Sequence, residues 1–517
     1  MTTKTASEKV LDSLRQLGLS ALPPKWTFRT GIQAHPEWLG TPVGQQAVFT
    51  VTNLLCRVHP LVTELRIALP LGLNNVSDVP LLGSGEYTQI LVEYLSSIGT
   101  DMTIVCDNDA QSADLILSLG PQPFAQAVPT IYFESRGWNA HISYAPESLL
   151  GSWQGKNPIG ALLAGGYAAA EVIKHALLKT KLALPRPVRL IEGDLWFSGW
   201  DYSVGSSDQG PLLPAVVQIG KVTIAGVGSG GMATVLALSS GIRLRGRLAL
   251  VDPDHINKGN LDRYPTAIFS DASAKRLKVE LGYELLKGTG VKLLSLPKPW
   301  NEVNDKLRDL GMLDYVVSLV HTAIARREIQ GDLPREIIDA ASNRYGQFVL
   351  TRVDFGRTCC LGCIYPPDDK QSEELDSLAF VLGLKREEVE RLHRDSIPFS
   401  TEQLERIRRN HKLPDSTSIP QEDQTLADWR ALHCARFTLK GDEDVPLSPV
   451  TFIPGILIAG EILKRGMETE PLNNRYVGDV LGLPSRVHPY VYRPIENCCF
   501  CGDPTFLKVY ESTWSRA

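Results

Sequence analysis

Gly226, Gly228 and Gly231 stand at G-x-G-x-x-G spacing between an apolar run, KVTIAGV, and a stretch with helical periodicity. In that context the first glycine permits a tight turn and the second lets a phosphate approach the backbone. The third lets helix and strand pack closely, and the helix N-terminus offers its amides to anionic oxygen. Asp252 follows about 20 residues on, at the end of the next apolar run, where a carboxylate can accept ribose hydroxyls. Alone, this pattern fits a nicotinamide-dependent dehydrogenase as well as an ATP site. Asn260, Arg263 and Lys278 come next in quick succession, with Asn257 and Lys275 nearby. Two or three cations beside a phosphate loop suit a triphosphate whose charge must be neutralised as it rearranges, a need that hydride transfer lacks. ATP is therefore the expected nucleotide. Arg263 lies in a compact N-L-D-R-Y turn, whereas Lys275 and Lys278 read equally well as a solvated basic face.

The nine cysteines supply a second set of reactive groups. Cys360-x-x-Cys363 and Cys498-x-x-Cys501 are two pairs, each able to place two thiolates on one tetrahedral metal, and four sulfurs close a structural zinc site. About 135 residues separate the pairs, so the metal would staple two distant loops rather than form a local ribbon. Cys359 and Cys499 are neighbours outside that spacing. Cys434 lies apart, in DWRALHCARFTL, flanked by His433 and Arg436, which could lower its pKa. A thiolate there could accept an activated acyl group and split one transfer into two easier steps. A buried helix cysteine is the plainer reading.

These residues need a scaffold, and an internal repeat describes one. Residues 79–109 and 222–254, about 145 positions apart, each read as an apolar strand, a Gly-Ser-Gly turn, a helix and a second strand ending in acidic residues. Residues 113–121 resemble 313–321, an acidic residue before a buried-strand run. Residues 157–177 resemble 448–467, an apolar, small-residue helix with a polar Glu-x-x-Lys turn. Alternation of this kind implies parallel sheets covered by helices, an α/β fold with two Rossmann-like halves. On this alignment Glu86 stands where the third glycine belongs, so the first copy is structural and the second carries the site. At 517 residues the chain is long enough for two or three domains. Its 43% hydrophobic and 21% charged residues are ordinary for a globular protein, and a net charge of −5 without a basic stripe gives no reason to expect nucleic acid. No run approaches a membrane span, and the first residues hold no apolar signal core, so a cytoplasmic location is expected.

On AGVGSGG, LVDPDHINKGNLDRY and the C-x-x-C pairs, the sequence resembles the ubiquitin-activating and ThiF/MoeB/HesA adenylating enzymes, closely over about residues 222–503. The resemblance implies an inactive adenylation-like domain at 1–210 and an active one at 211–517, with a helical insertion at 366–447. It implies that Asp252 binds ribose and that Asn260, Arg263 and Lys278 contact the phosphates, Lys278 being preferred to Lys275 because it opens the family's K-V-E. The implied reaction is attack by a C-terminal glycine carboxylate on the α-phosphate of ATP, with Mg²⁺ as helper and structural Zn²⁺ on the four cysteines. Ubiquitin-type members carry their thioester cysteine in the interval that holds Cys434. That makes a ubiquitin-like protein and a conjugating-type enzyme the expected partners, with no nucleic acid, no membrane and a homodimer left open. The sixteen residues after Cys501 leave no room for a C-terminal ubiquitin-fold domain. This compact layout resembles activators of bacterial ubiquitin-like conjugation operons linked to phage defence. One departure stands out. The family's Mg²⁺-binding aspartate falls at His321, a poor ligand for a hard cation. Three outcomes are open: another carboxylate, such as Asp254, takes the metal; the strand alignment shifts locally; or adenylation is weak. Two alternatives follow, a sulfur-carrier adenylyltransferase without a thioester step and a catalytically weak adenylation-fold scaffold.

Overall fold

The computed structural model describes residues 4–19, 21–106, 112–121, 128–181, 184, 187–366, 378–394, 397–410, 419–426, 429, 446–467, 475–484, 494–495 and 498–514. They form two seven-stranded sheets with the same internal order. The first holds β1 (Arg29–Ala34), β2 (Glu64–Ala68), β3 (Thr103–Cys106), β4 (Leu115–Leu119), β5 (Thr130–Arg136), β6 (Asn139–Ser143) and β7 (Asp194–Ser198). Its order is 3-2-1-4-5-6-7, with five parallel strands followed by two antiparallel ones. The second holds β8 (Val217–Ala225), β9 (Leu244–Val251), β10 (Lys292–Leu296), β11 (Tyr315–Ser318), β12 (Glu336–Ser342), β13 (Gln347–Val353) and β14 (Arg475–Asp479). Its order, 10-9-8-11-12-13-14, repeats the first strand for strand, including the antiparallel end.

Three of the four principal helices in each half repeat as well, those after its first, second and sixth strands. The four are α1 (Ala6–Gln16), α2 (Pro42–Cys56), α3 (Tyr87–Ser97) and α4 (Pro158–Lys179) in the first half. In the second they are α5 (Ser229–Ser239), α6 (Lys278–Leu286), α7 (Ala323–Gly331) and α8 (Ser448–Arg465). Helix α2 packs on α4, α5 on α8, and α4 on α8, so the two halves join through a helical layer. Among the described residues α4 is the one helix long and apolar enough to cross a membrane, and its most apolar window is 89% buried inside the fold. A helix apolar on all sides belongs in a core of this kind.

The join is reciprocal at the level of single bonds. Lys174 of α4 pairs with Glu171 at 2.8 Å and donates to the Gly482 carbonyl, just past β14, at 2.8 Å. Lys464 of α8 pairs with Glu461 and donates to the Trp200 carbonyl, just past β7, at 2.9 Å. The Glu-x-x-Lys turns of the sequence are thus the two ends of an internal pseudo-twofold. Each long helix also closes onto the aspartate before its central strand, Lys179 on Asp114 at 2.9 Å and Arg465 on Asp314 at 2.8 Å.

Two of the sequence matches keep their register, since 113–121 and 313–321 contain β4 and β11, and 157–177 and 448–467 fall on α4 and α8. The match of 79–109 to 222–254 is one unit out of step. Strand β8 corresponds to β1 and β9 to β2, while residues 79–86 form a loop between β2 and α3. Gly83-Ser84-Gly85 is therefore not a degenerate phosphate loop, and Glu86 does not replace a third glycine. Glu86 caps α3, its carboxylate accepting from the Gln89 N–H at 2.6 Å. The true counterpart of the glycine loop is 35–41, HPEWLGT, which has no such spacing. The counterpart of the cationic segment 252–277 is 69–86, which contains neither lysine nor arginine.

Residues 365–444 form a second compact unit. It has its own core, in which Leu384, Val389 and Leu392 join Phe399, Leu404, Ile407 and Trp429. The capping box expected at Ser400 and Gln403 opens the helix Thr401–Arg409, with Gln403 accepting from the Ser400 N–H at 2.9 Å.

Candidate nucleotide site and thiolate cluster

The glycine loop joins β8 to α5, at the C-terminal edge of the parallel strands where α/β sheets bind ligands. Gly226 has φ +90°, and a Cβ there would lie 2.5 Å from the Leu319 carbonyl oxygen beyond β11. A Cβ on Gly231 would lie 2.3 Å from the Gly226 carbonyl oxygen, so this glycine lets α5 reach the strand. Gly228 is different. The nearest atom to its would-be Cβ is the Tyr264 hydroxyl at 3.7 Å, and the loop is open on that side. Helix α5 begins there without a side-chain cap, which leaves its first amides available to an anion.

Asp252 directly follows β9 and is buried. One oxygen accepts from the Val227 N–H at 2.7 Å and the other from the Asp254 N–H at 2.9 Å, so the carboxylate braces the glycine loop from below. Burial pushes its pKa above the usual aspartate value against the pull of Lys278. Lys278 opens α6 and is buried, with Nζ 2.6 Å from Asp254, 3.7 Å from Asp252 and 5.6 Å from the Tyr264 ring centre. Burial alone would lower its pKa, but Tyr264, Asp252 and Asp254 outweigh that and hold it above the usual lysine value. Lys275 is exposed, in a turn residue with φ +49°. Of the two lysines, Lys278 is therefore the buried one and Lys275 the exposed one.

Residues 257–264 form a tight turn over this pair. The Asn260 side chain accepts from the Asn257 N–H at 3.0 Å, leaving its amide nitrogen as a donor. Arg263 makes a two-pronged contact with buried Asp262 at 3.0 and 2.8 Å. The Arg263 carbonyl accepts from Ser229 Oγ of α5 at 2.7 Å, and that oxygen lies 2.5 Å from Thr451 Oγ1 of α8. Ser229, Tyr264 and Thr451 were not singled out from sequence. Tyr264 carried a signal, its place in the N-L-D-R-Y turn; Thr451 carried none, because 222 positions separate it from Ser229. His321 sits exposed after β11, directly before Thr322, which caps α7 through the Ala325 N–H at 3.1 Å.

Cys360, Cys363, Cys498 and Cys501 converge with all four sulfurs within 4.8 Å of one another. Cys360 lies 3.8 Å from Cys363 and 3.5 Å from Cys498, and Cys363 lies 3.3 Å from Cys501. Four thiolates at Zn–S distances of about 2.3 Å stand roughly 3.8 Å apart on a tetrahedron, so the donors and their spacing suit zinc. Burial pushes the Cys498 thiol up, but the Phe500 and Cys501 amides and the Cys360 and Cys363 thiols reverse this to about 7. Cys359, though buried, and Cys499, which is exposed, stay outside the cluster. Cys434 lies outside the described residues.

A phosphate loop, a carboxylate at the end of the second strand and a cationic turn above them define a nucleotide-binding α/β site. The chain belongs to the ThiF family, whose model matches residues 215–481, just over half of its length. It is an adenylating enzyme by that membership, and the coarse activity is ATP-dependent adenylation of a substrate C-terminus, for which the family also implies Mg²⁺. The chain is 24% identical over 486 residues to y4jF, an uncharacterized protein of Sinorhizobium fredii (strain NBRC 101917 / NGR234), covering 92% of this chain and 89% of that one. Among solved structures it is similar to E. coli MccB with succinimide, at 18% identity and TM-score 0.35, over 56% of this chain and 66% of that one. A second structure of E. coli MccB gives 19% identity and TM-score 0.33, over 56% and 65%.

Proposed function

We propose that this chain adenylates the C-terminal glycine of a ubiquitin-like protein and holds the acyl group as a thioester on Cys434 for transfer to a conjugating-type enzyme. The charge pattern around the glycine loop carries the first step. Lys278 is buried against Asp252 and Asp254 beneath a turn that presents Asn260 and Arg263. A glycine carboxylate oxygen attacks the α-phosphorus of ATP, and the bond to the bridging oxygen breaks as pyrophosphate leaves. Lys278 and Arg263 stabilise the charge that develops on the phosphates, and Asp252 orients the ribose. Asp254 is the carboxylate with an exposed side chain here, 65% accessible, while both oxygens of Asp252 already accept backbone N–H groups. On exposure and ligand hardness, Asp254 rather than His321 would be the residue to hold Mg²⁺. The ion would supply further neutralisation of phosphate charge.

In the second step the Cys434 thiolate attacks the acyl carbon and AMP departs, leaving a thioester. Position in the sequence supports this reading, because Cys434 is the one cysteine between the two C-x-x-C pairs. The experiment is pyrophosphate exchange with ATP and a glycine-ended candidate partner, followed by non-reducing electrophoresis. Exchange together with a reducible adduct that Cys434→Ala abolishes is the expected result. Exchange without an adduct would put the chain with sulfur-carrier adenylyltransferases. No exchange with a cognate partner would leave an adenylation-fold scaffold.

A further inference from the structure

We infer that the first half takes part in nucleotide chemistry through Asn53, Arg57 and Tyr94, three positioning residues that clasp the 260–267 turn and set Asn260 and Arg263 over the glycine loop. The inference rests on the adenylation reading of that loop. Arg57 closes the C-terminal end of α2 and is fully buried. Its guanidinium donates to the Leu261 carbonyl at 2.9 Å, the Ala267 carbonyl at 3.0 Å and Asn53 Oδ1 at 3.0 Å. The Asn53 amide donates to the Pro265 carbonyl at 2.7 Å, and the Tyr94 hydroxyl of α3 donates to the same oxygen at 3.2 Å.

All of these bonds from the first half end on main-chain oxygens at 261, 265 and 267, on both sides of Arg263. They fix where the backbone runs, which decides where Asn260 and Arg263 point. Burying a guanidinium is costly unless its donors are satisfied, and a hydrocarbon contact would join two halves at less cost. Planar donors that reach two carbonyls at once hold a turn in one shape, which an apolar contact does not.

The pseudo-twofold supplies a control inside the molecule. At the counterpart position, Gly241 beyond α5 abuts Asp78 in the 69–86 loop. Ser239 and Ser240 there bond back to their own helix, at 2.8 Å to the Val235 carbonyl and 2.7 Å to the Leu236 carbonyl. Among the described residues no side chain of α5 hydrogen-bonds into 69–86. The clasp therefore runs one way, from the half without a phosphate loop to the half with one.

The test uses the full chain with Arg57→Lys, Asn53→Ala and Tyr94→Phe. Arg57→Lys keeps the charge but loses the fork. Amide hydrogen exchange of residues 263, 264, 266 and 267, kcat and KM for ATP in pyrophosphate exchange with a glycine-ended candidate partner, affinity for a fluorescent ATP analogue, and Tm are all measured. The expected result for Arg57→Lys is at least tenfold faster amide exchange confined to the turn, with a tenfold or greater fall in kcat/KM per folded molecule. Tyr94→Phe removes one hydroxyl and gives a smaller change in the same direction, which keeps the test open should the Arg57 variant fail to fold. Folded variants that lower Tm alone, leaving kcat, KM and turn exchange at wild-type values, would overturn the inference. A wild-type chain that shows no pyrophosphate exchange with a cognate glycine-ended partner would refute the adenylation reading instead. In that case turn exchange and analogue affinity still read the clasp, and wild-type values of both in all three variants would overturn it.

Discussion

At Lys278 two opposing effects decide a pH dependence. Burial disfavours the ammonium, but Tyr264, Asp252 and Asp254 outweigh it and raise the folded pKa. A raised lysine contributes stability that is fully present below its unfolded value of about 10.4 and is lost only as pH rises through the folded value. The cation proposed for the phosphates thus stays charged throughout the neutral and mildly alkaline range. Asp252 behaves oppositely for binding. Its pKa is raised by burial, so the carboxylate proposed to meet ribose protonates at a higher pH than an ordinary aspartate, whose value is about 3.9. The KM for ATP in pyrophosphate exchange should therefore climb on the acid side while ordinary aspartates are still ionised. Asp252→Asn should raise KM at neutral pH and flatten that limb, and no limb from Lys278 should appear below about pH 10. Lys278→Ala should cost about 10²–10³ in kcat, the scale of losing one preorganised charge-stabilising group. An alkaline limb near neutrality that Lys278→Arg displaces would contradict this assignment.

The β8–loop–α5 element separates packing from ligand binding at the level of single glycines. An added Cβ at Gly231 meets backbone at 2.3 Å, whereas one at Gly228 meets nothing nearer than 3.7 Å. Gly231→Ala should lower stability by about 1–3 kcal/mol, the usual cost of overpacking a tight contact. Gly228→Ala should stay within about 0.5 kcal/mol of wild type, yet lose ATP affinity, because its methyl would occupy the path of the phosphate. Thermal melts with and without ATP distinguish the two, and equal destabilisation by both would refute the distinction. This element was legible in sequence because its signals are local: a strand, a spacing, a helix. The cysteine pairs were legible for the same reason, since each C-x-x-C is local and only their meeting is tertiary. The register of the first repeat was not. Gly83-Ser84-Gly85 has the composition of a phosphate loop but serves a turn, while β1, the real counterpart strand, reads RTGIQA and carries no glycine spacing after it. Asn53, Arg57 and Tyr94 were invisible for another reason. Their partners lie 171 to 212 positions away and are backbone carbonyls, which leave no trace in residue identity.

Across the whole molecule, the fold makes within one chain the kind of interface that homodimers make between two. An isologous contact pairs residue i with j and j with i. Here Lys174 reaches past β14 and Lys464 reaches past β7, each through the Glu-x-x-Lys turn of its own long helix. Both copies of the surface are consumed by this internal join, so the same face cannot recruit a second chain without breaking it. The asymmetry of the clasp points the same way. A homodimer of identical halves would hold two nucleotide turns, whereas here the 69–86 counterpart carries no lysine or arginine and, among the described residues, receives no side-chain hydrogen bond from α5. In a fused chain the first half is always present as a support for the proposed nucleotide turn. Light scattering should accordingly return the mass of one chain from about 1 to 100 μM, a range in which weak self-association begins to register at dissociation constants near 10⁻⁴ M. Titration with an ATP analogue should give one nucleotide per chain. A stable dimer would require a second interface elsewhere on the surface, and two nucleotides per chain would mean that 35–41 and 69–86 form a working site without a glycine loop.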